Sequence, residues 1–168
     1  MSRVFLRRTG AAGFLTMAFL LGGCQKKSLN PSFPLEILLS APKQVTIGSN
    51  HFTLETYLWR DFMPSTPSQP GGSPLMAVVK VTEVDSSNIP SYLDTQRMWV
   101  IYAADIWEAI LHDDPAPLPD LSFMLNKVAS GGPKWGPYIY TTVVVSIEDN
   151  RGRSYLLRAS NQWIYRTD

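Results

Sequence analysis

The sequence predicts an all-β protein, a two-sheet β-sandwich of about seven or eight short strands, and three observations support this prediction. From Lys43 onward, apolar and polar residues alternate with a period of two over several runs, as they do in strands that bury one face. Turn-forming glycine, proline, asparagine and aspartate residues separate these runs. No stretch of helical length combines a capping residue with a continuous apolar stripe.

The first strands are predicted on either side of a glycine turn. Residues 43–47 alternate in polarity up to the turn at 48–50, which is typical of a β-hairpin. Four residues after the turn share one face: Phe52, Leu54, Thr56 and Leu58. In the next run, 74–84, Lys80 and Thr82 occupy the solvent-facing positions, which predicts a strand that is buried on its other face only.

The segment 103–112 fits two structures. Five residues in it have helical spacing: Ala103, Ile106, Trp107, Ile110 and Leu111. The same segment, together with the tryptophan, valine, isoleucine and tyrosine just before it, also fits two short strands joined near 103–105. We expect strands, because these residue types favour strands and the surrounding sequence has strand patterns.

The carboxyl-terminal third contains the clearest hairpin. Residues 138–149 are mostly β-branched and aromatic, DNRG at 149–152 fits a type I turn with a glycine bulge, and a second run covers 153–166. The hairpin VVVSIEDNRGRSYLLRA resembles the last two strands of immunoglobulin-like (Ig-like) modules on bacterial surface proteins. This resemblance implies an Ig-like sandwich, and the single cysteine excludes the disulfide of antibody domains.

Residues 1–23 have the layout of an export signal. Arg3, Arg7 and Arg8 precede the uncharged, largely apolar run 9–23, which ends in two glycines. This run is shorter than the roughly 20 residues that a membrane-spanning helix needs. A short membrane helix or a buried core helix is therefore the less favoured interpretation.

The end of this segment, Leu21-Gly22-Gly23-Cys24, resembles the lipobox of bacterial lipoproteins, in which an aliphatic residue and two small residues precede a cysteine. The resemblance implies cleavage between Gly23 and Cys24, lipidation of Cys24, and a membrane anchor outside the cytoplasm. In many diderm bacteria an aspartate after the cysteine retains lipoproteins in the inner membrane. Gln25 stands there in this chain, which favours the outer membrane if the organism is diderm.

These features divide the chain into a signal peptide, 1–23, the lipidated cysteine with a tether, 24–43, and a β-sandwich domain, 44–168. The tether begins as a polar, proline-containing stretch, but its LEILLS segment, 35–40, fits either an edge strand or a packed linker. The formal net charge is only +1. Nucleic acid is therefore not an expected partner.

Candidate catalytic residues are sparse in this sequence. The two histidines, His51 and His112, lie in no known nucleophile motif, and no phosphate-binding, dinucleotide-binding or paired-cysteine motif occurs. We therefore expect no enzymatic activity and no cofactor. His112, Asp113 and Asp114 are weak candidates for a metal site, for which a solvated acidic loop is the favoured alternative.

Trp135 is the candidate for ligand contact. It lies in the glycine- and proline-rich loop 130–137, beside Lys134 and close to Tyr138. An exposed tryptophan on a sandwich loop can stack on a sugar ring or anchor a protein partner. The favoured alternative is that Trp135 folds back over the end of the core, because burial of a large aromatic side chain contributes about 2–3 kcal/mol.

Together these features predict a lipid-anchored protein of the cell envelope that binds or scaffolds an envelope partner without catalysis. The predicted partners are the membrane, through acyl chains on Cys24, and an envelope protein or a glycan. A glycan-binding module that uses loop aromatics is the alternative function. A metal-dependent enzyme centred on His112 is the least favoured function.

Overall fold

The computed structural model describes residues 32–64, 70–114 and 122–168. The predicted signal peptide, the cleavage site at Gly23 and the lipidated Cys24 lie outside these residues. Within them the chain forms one short helix and nine strands. The elements are α1 (Leu35–Ser40), β1 (Gln44–Ile47), β2 (Asn50–Asp61), β3 (Leu75–Glu83), β4 (Leu93–Tyr102), β5 (Asp105–Ile110), β6 (His112–Asp113), β7 (Met124–Gly132), β8 (Tyr140–Asp149) and β9 (Ser154–Thr167).

The strands form two sheets that share β9. Sheet 1 has the order β6–β7–β3–β2–β9, with β1 also paired to β2, and sheet 2 has the order β5–β4–β8–β9. The last part of β9 runs parallel to β2, with Leu58 opposite Ile164, whereas its first part runs antiparallel to β8. This arrangement has the A-B-E-D and C′-C-F-G strand order of Ig-like sandwiches. The predicted all-β sandwich is therefore confirmed.

The core lies between the two sheets. Along β3 every second residue is buried, and Lys80 and Thr82 occupy the outward positions as predicted. The predicted inner face of β2 also points inward, with Phe52 and Leu58 fully buried. β8 is buried on both faces, because the segment around α1 covers its outward Val144.

Residues 103–112 contain strands, as expected, and the helical alternative is wrong. β4 and β5 form an antiparallel hairpin that pairs Tyr102 with Asp105. Ala103 at its turn adopts the left-handed conformation, with a φ of 52°. The residues with helical spacing do not share one face, since Trp107 packs against the core whereas Ile110 is exposed.

The two predicted hairpin turns are present. Gly48 between β1 and β2 has a φ of 65°, and Gly152 between β8 and β9 has a φ of 74°. Glycine suits this left-handed region because it has no Cβ. The N–H of Gly152 donates to the carbonyl of Asp149 over 2.9 Å, which closes the second turn.

Residues 32–43 pack against the outer face of sheet 2. Leu38 of α1 is fully buried and belongs to a second apolar cluster with Trp99 and Val144. The LEILLS segment is thus a packed linker in helical form, and it is not an edge strand. The part of the predicted tether 24–43 that the structure describes therefore belongs to the folded domain.

The chain passes between the sheets on both sides of the sandwich. On one side, β9 bends from sheet 2 to sheet 1 near Asn161, which has a φ of 58°. On the other side, the buried Leu111 links β5 of sheet 2 to β6 of sheet 1. The outward-facing residues of β9 therefore lie on the outer face of sheet 2 in the first part of the strand and on the outer face of sheet 1 in its last part.

Candidate functional site

A row of aromatic side chains lies on the outer face of sheet 1. Tyr57 and Trp59 project from β2, with ring centroids 5.4 Å apart. Tyr57 also stacks on Tyr165 of β9, with centroids 5.0 Å apart. Tyr57 and Tyr165 each remain 45% exposed, so the row is an apolar surface that is open to solvent.

Strand alternation explains why these rings point outward. Leu58 and Ile164 are fully buried and lie opposite each other in the parallel pairing of β2 with β9. Their neighbours along each strand point to the other face of the sheet. The same pairing sets Trp59 opposite Tyr165. The row is therefore fixed by two paired strands.

A second group of aromatic side chains lies farther back along β9, where this strand changes sheet. Trp163 lies two residues before Tyr165, with its ring centroid 4.6 Å from that of Tyr140 and 6.3 Å from that of Tyr138. Tyr138 and Tyr140 are 60% and 64% exposed. We call the whole set the aromatic face: Tyr57, Trp59, Tyr138, Tyr140, Trp163 and Tyr165.

An apolar pocket of about 430 Å³ opens beside Trp59. Its floor consists of outward side chains from β3 and β7: Met76, Val78 and Val128. The strand order places Trp59 of β2 on one side of the floor and His112 of β6 on the other, about 14 Å apart at the usual strand spacing. The volume lies in the range of small-molecule sites.

Polar groups lie at the β6 and β7 side of this pocket. They are His112, Asp114 and Ser130. The Nδ2 of Asn126 donates to Oδ2 of Asp114 over 2.7 Å, which orients this carboxylate. The pocket thus combines an aromatic wall, an aliphatic floor and a polar rim, and such a set suits a ligand with both apolar and hydrogen-bonding surfaces.

The weak metal candidates are held in other interactions. His112 and Asp113 form β6, and Oδ1 of Asp113 lies 2.7 Å from Nζ of Lys127, which also pairs with Asp94 at 2.8 Å. Burial alone would lower the pKa of Lys127, but the two carboxylates outweigh it and raise this pKa above its usual value. Among the described residues, no three His, Cys, Asp or Glu side chains form a group that fits a metal ion.

The three loop candidates for ligand contact have different surroundings. Trp135 is half-buried against the core, with its ring centroid 5.8 Å from that of Tyr102. Nζ of Lys134 donates to the carbonyl of Pro70 over 2.8 Å. Only Tyr138 joins the aromatic face. The candidate site therefore lies mainly on strands, and the loop contributes one residue to it.

Sequence reasoning missed Tyr57, Trp59 and Tyr165. Their signal is present in ETYLWRD and NQWIYRT, where tyrosine and tryptophan occupy the alternate positions that face solvent. Those positions are usually polar when the sheet buries one face. The two segments lie far apart in the chain, so the sequence alone does not show that the rings meet.

Comparisons of the chain with protein-family models, curated proteins and solved structures gave no match. Within residues 32–64, 70–114 and 122–168, no helix has the length and apolar character that a membrane span requires.

Proposed function

We propose that this protein is a lipid-anchored, non-catalytic binding module of the cell envelope, and that the aromatic face holds its partner. The lipobox-like sequence ending at Cys24 supports the anchor. The observation that carries the binding role is the joint exposure of four tyrosines of the aromatic face.

Folding alone does not account for this surface. The core beneath it is already filled by Leu58 and Ile164, which are fully buried, so the outward rings are not needed to close the sandwich. Burial of their apolar surface would contribute about 25 cal/mol per Å². Contiguous exposed apolar patches mark interaction sites, and tyrosine and tryptophan often dominate their binding energy. A bound partner explains the aromatic face better than stability does.

The aromatic face is also preorganised for binding. Tyr57 and Trp59 project from β2, which is paired with β3 on one side and with β9 on the other. The stack of Tyr57 on Tyr165 restricts both side chains further. Little side-chain entropy is then lost when a partner binds, because the rings are already ordered.

A capture experiment tests this role. The full-length chain is extracted from envelopes in mild detergent together with its bound components, beside a Tyr57→Ser/Tyr165→Ser double variant. We expect the double variant to retain about a tenth or less of the partner, because two stacked aromatic anchors are lost.

Tyr92→Ser is the matched control for the capture experiment. Tyr92 is 48% exposed, close to the value of Tyr57, and it lies beside the β8–β9 turn at the far end of β8 from Tyr140. The control should capture as much partner as the native chain. Equal losses in the control and the double variant, or no partner with the native chain, would contradict the proposal.

A further inference from the structure

We infer that the pocket beside Trp59 binds a neutral pyranose ring of an envelope polysaccharide, with neighbouring sugar units over the aromatic row. The inference rests on the proposed function, because it names the chemical class of the partner that the aromatic face holds. Its basis is the combination of an aromatic wall, a polar rim and a lining without lysine or arginine among the described residues.

The wall and floor of the pocket suit the apolar face of a sugar. Pyranose rings present C–H bonds on their faces and hydroxyl groups around their edges. The half-buried indole of Trp59 gives the pocket a flat aromatic wall, and Met76 and Val78 give it an aliphatic floor. A sugar face placed against the indole gains dispersion contacts and removes apolar surface from water.

The rim of the pocket suits the hydroxyl edge of the same sugar. A hydroxyl that becomes buried without a hydrogen bond costs free energy, so a sugar site needs polar partners on one side. The His112 imidazole and the Ser130 hydroxyl, which lie opposite Trp59 across the floor, can donate or accept hydrogen bonds. Trp59 and the floor would therefore contact the C–H face of the pyranose ring, and His112 and Ser130 would contact its hydroxyl groups.

The charge of the pocket indicates a neutral sugar. Asp114 gives the rim a carboxylate, and no lysine or arginine lines the pocket among the described residues. A phosphate, sulfate or carboxylate group in the pocket would face the Asp114 carboxylate, and Lys80, the next outward residue of β3 after Val78, lies opposite Glu55. Neutral hexoses and N-acetylated hexosamines remain as the fitting classes.

The residues around the pocket also favour a glycan over a protein segment. Tyr57 and Tyr165 are the exposed large hydrophobic side chains within the strands of this outer face. The exposed aliphatic side chains near sheet 1, Met63 and Val84, lie beyond the ends of β2 and β3, and Ile110 lies on sheet 2. Tyrosine carries a hydroxyl at the outer edge of its ring, so the row offers stacking surface and hydrogen bonds together. The combination of stacking surface and hydrogen-bonding groups suits a ligand that is rich in hydroxyl groups.

Titration with neutral oligosaccharides tests the inference. The full-length chain in detergent is titrated with a tetramer of N-acetylglucosamine and with a tetramer of glucose, with tryptophan fluorescence and heat as readouts. We expect at least one probe to bind the native chain, and Trp59→Ala to weaken that binding by about tenfold or more.

A second pocket variant and a control variant test the inference even if Trp59→Ala fails to fold. Ser130→Trp places a bulky ring at the pocket mouth from an exposed position, and we expect the same loss of affinity without damage to the core. Trp135→Phe is the control, because Trp135 lies against Tyr102 and does not line the pocket. The Trp135→Phe variant should bind the oligosaccharide with the same affinity as the native chain.

The inference is overturned if no probe binds the native chain, or if Ser130→Trp binds as tightly as the native chain does. The proposed function is decided separately by capture with the Tyr57→Ser/Tyr165→Ser variant. Capture of a protein that depends on these tyrosines, without oligosaccharide binding, would overturn the sugar site and retain the binding role.

Discussion

Arg60 is the buried cation that orders the loops beside the candidate site. It is only 2% exposed. Its guanidinium donates to backbone carbonyls in two loops: Gly71, Ser73, Lys134 and Gly136. Burial lowers the pKa of Arg60, but these carbonyls satisfy the charged donors. One side chain therefore holds residues 71–73, just before β3, and the loop that leads to Tyr138.

Arg60→Met should lower the free energy of unfolding by about 2–4 kcal/mol, because four part-buried hydrogen bonds from a buried charged donor would be lost. Denaturant unfolding measures this change. Arg151→Met at the exposed β8–β9 turn is the control, for which we expect less than about 0.5 kcal/mol. A loss at Arg60 as small as that of the control would mean that other contacts hold these loops.

Lys127 links the two sheets through its carboxylate partners. Asp94 lies on β4 of sheet 2, whereas Lys127 and Asp113 lie on β7 and β6 of sheet 1. Burial alone would raise the pKa of Asp94, but hydrogen bonds, above all that from Lys127, outweigh it and hold this pKa below its usual value. The triad thus couples the stability of the sandwich to pH.

The sign of this coupling differs at the two ends of the pH scale. The lowered pKa of Asp94 stabilises the fold above its unfolded value of about 3.9, and this contribution disappears as the pH falls through the folded value. The raised pKa of Lys127 stabilises the fold below its unfolded value of about 10.4. That contribution disappears as the pH rises through the folded value.

Lys127→Met should therefore lower the free energy of unfolding by about 1–2 kcal/mol near neutral pH. The difference from the native chain should shrink at both acidic and alkaline pH, as measured by denaturant unfolding across the pH range. Lys43→Met, at an exposed lysine, is the control and should show no such profile. A Lys127→Met difference that stays constant with pH would show that the loss comes from packing and not from charge.

At the scale of elements, α1 shows why a short apolar segment resists prediction. Its six residues are too few to distinguish a period of 3.6 from a period of two. Pro34 precedes the helix and gives it no side-chain cap hydrogen bond. The helix depends on the packing of Leu38 in the cluster with Trp99, which is a tertiary contact that local sequence does not encode.

Adjacent residues of α1 provide a matched test of this dependence. Leu38→Ala should lower the free energy of unfolding by about 2–3 kcal/mol, because it leaves a cavity against sheet 2. Ile37→Ala, at a side chain that is 47% exposed, should change it by less than about 0.5 kcal/mol. Equal effects in thermal or denaturant unfolding would mean that α1 does not contribute to the fold through its buried face.

Hairpins could be predicted from the sequence, but the path of β9 could not. The turns at Gly48 and Gly152 depend on local backbone conformation, which glycine marks directly. The break near Asn161 is also visible in the sequence, but the sheet that β9 joins beyond it depends on pairing with β2. Non-local pairing of this kind decides the position of Tyr165 and hence of the aromatic face.

At the scale of the whole molecule, fold class could be predicted while most of the candidate site could not. Period-two patterns define inner and outer faces within each strand, so the sandwich follows from the sequence. The site requires Trp59 of β2, Val128 of β7 and His112 of β6 to lie on one surface. Strand order sets this arrangement. The sequence alone led instead to Trp135 as the candidate for ligand contact, with packing over the end of the core as the favoured alternative.

Cys24→Ser tests the predicted anchor. If Cys24 is the lipidation site, this variant should incorporate no labelled fatty acid and should remain an unprocessed precursor, because the serine hydroxyl is a much weaker nucleophile than the thiol. Gel mobility and fatty-acid labelling measure both effects, and far-ultraviolet circular dichroism should still show a β-rich domain. Continued fatty-acid labelling of the serine variant would show that Cys24 is not the lipidation site.

Site-specific photo-crosslinking in living cells tests directly whether the aromatic face binds a partner. A photoreactive amino acid replaces Tyr57 on the aromatic face or, as the control, Ile110, which is 66% exposed on β5 of sheet 2. We expect a discrete or glycan-like high-mass adduct from position 57 and none from position 110. Adducts from position 110 alone, or none from position 57, would contradict a binding role for the aromatic face.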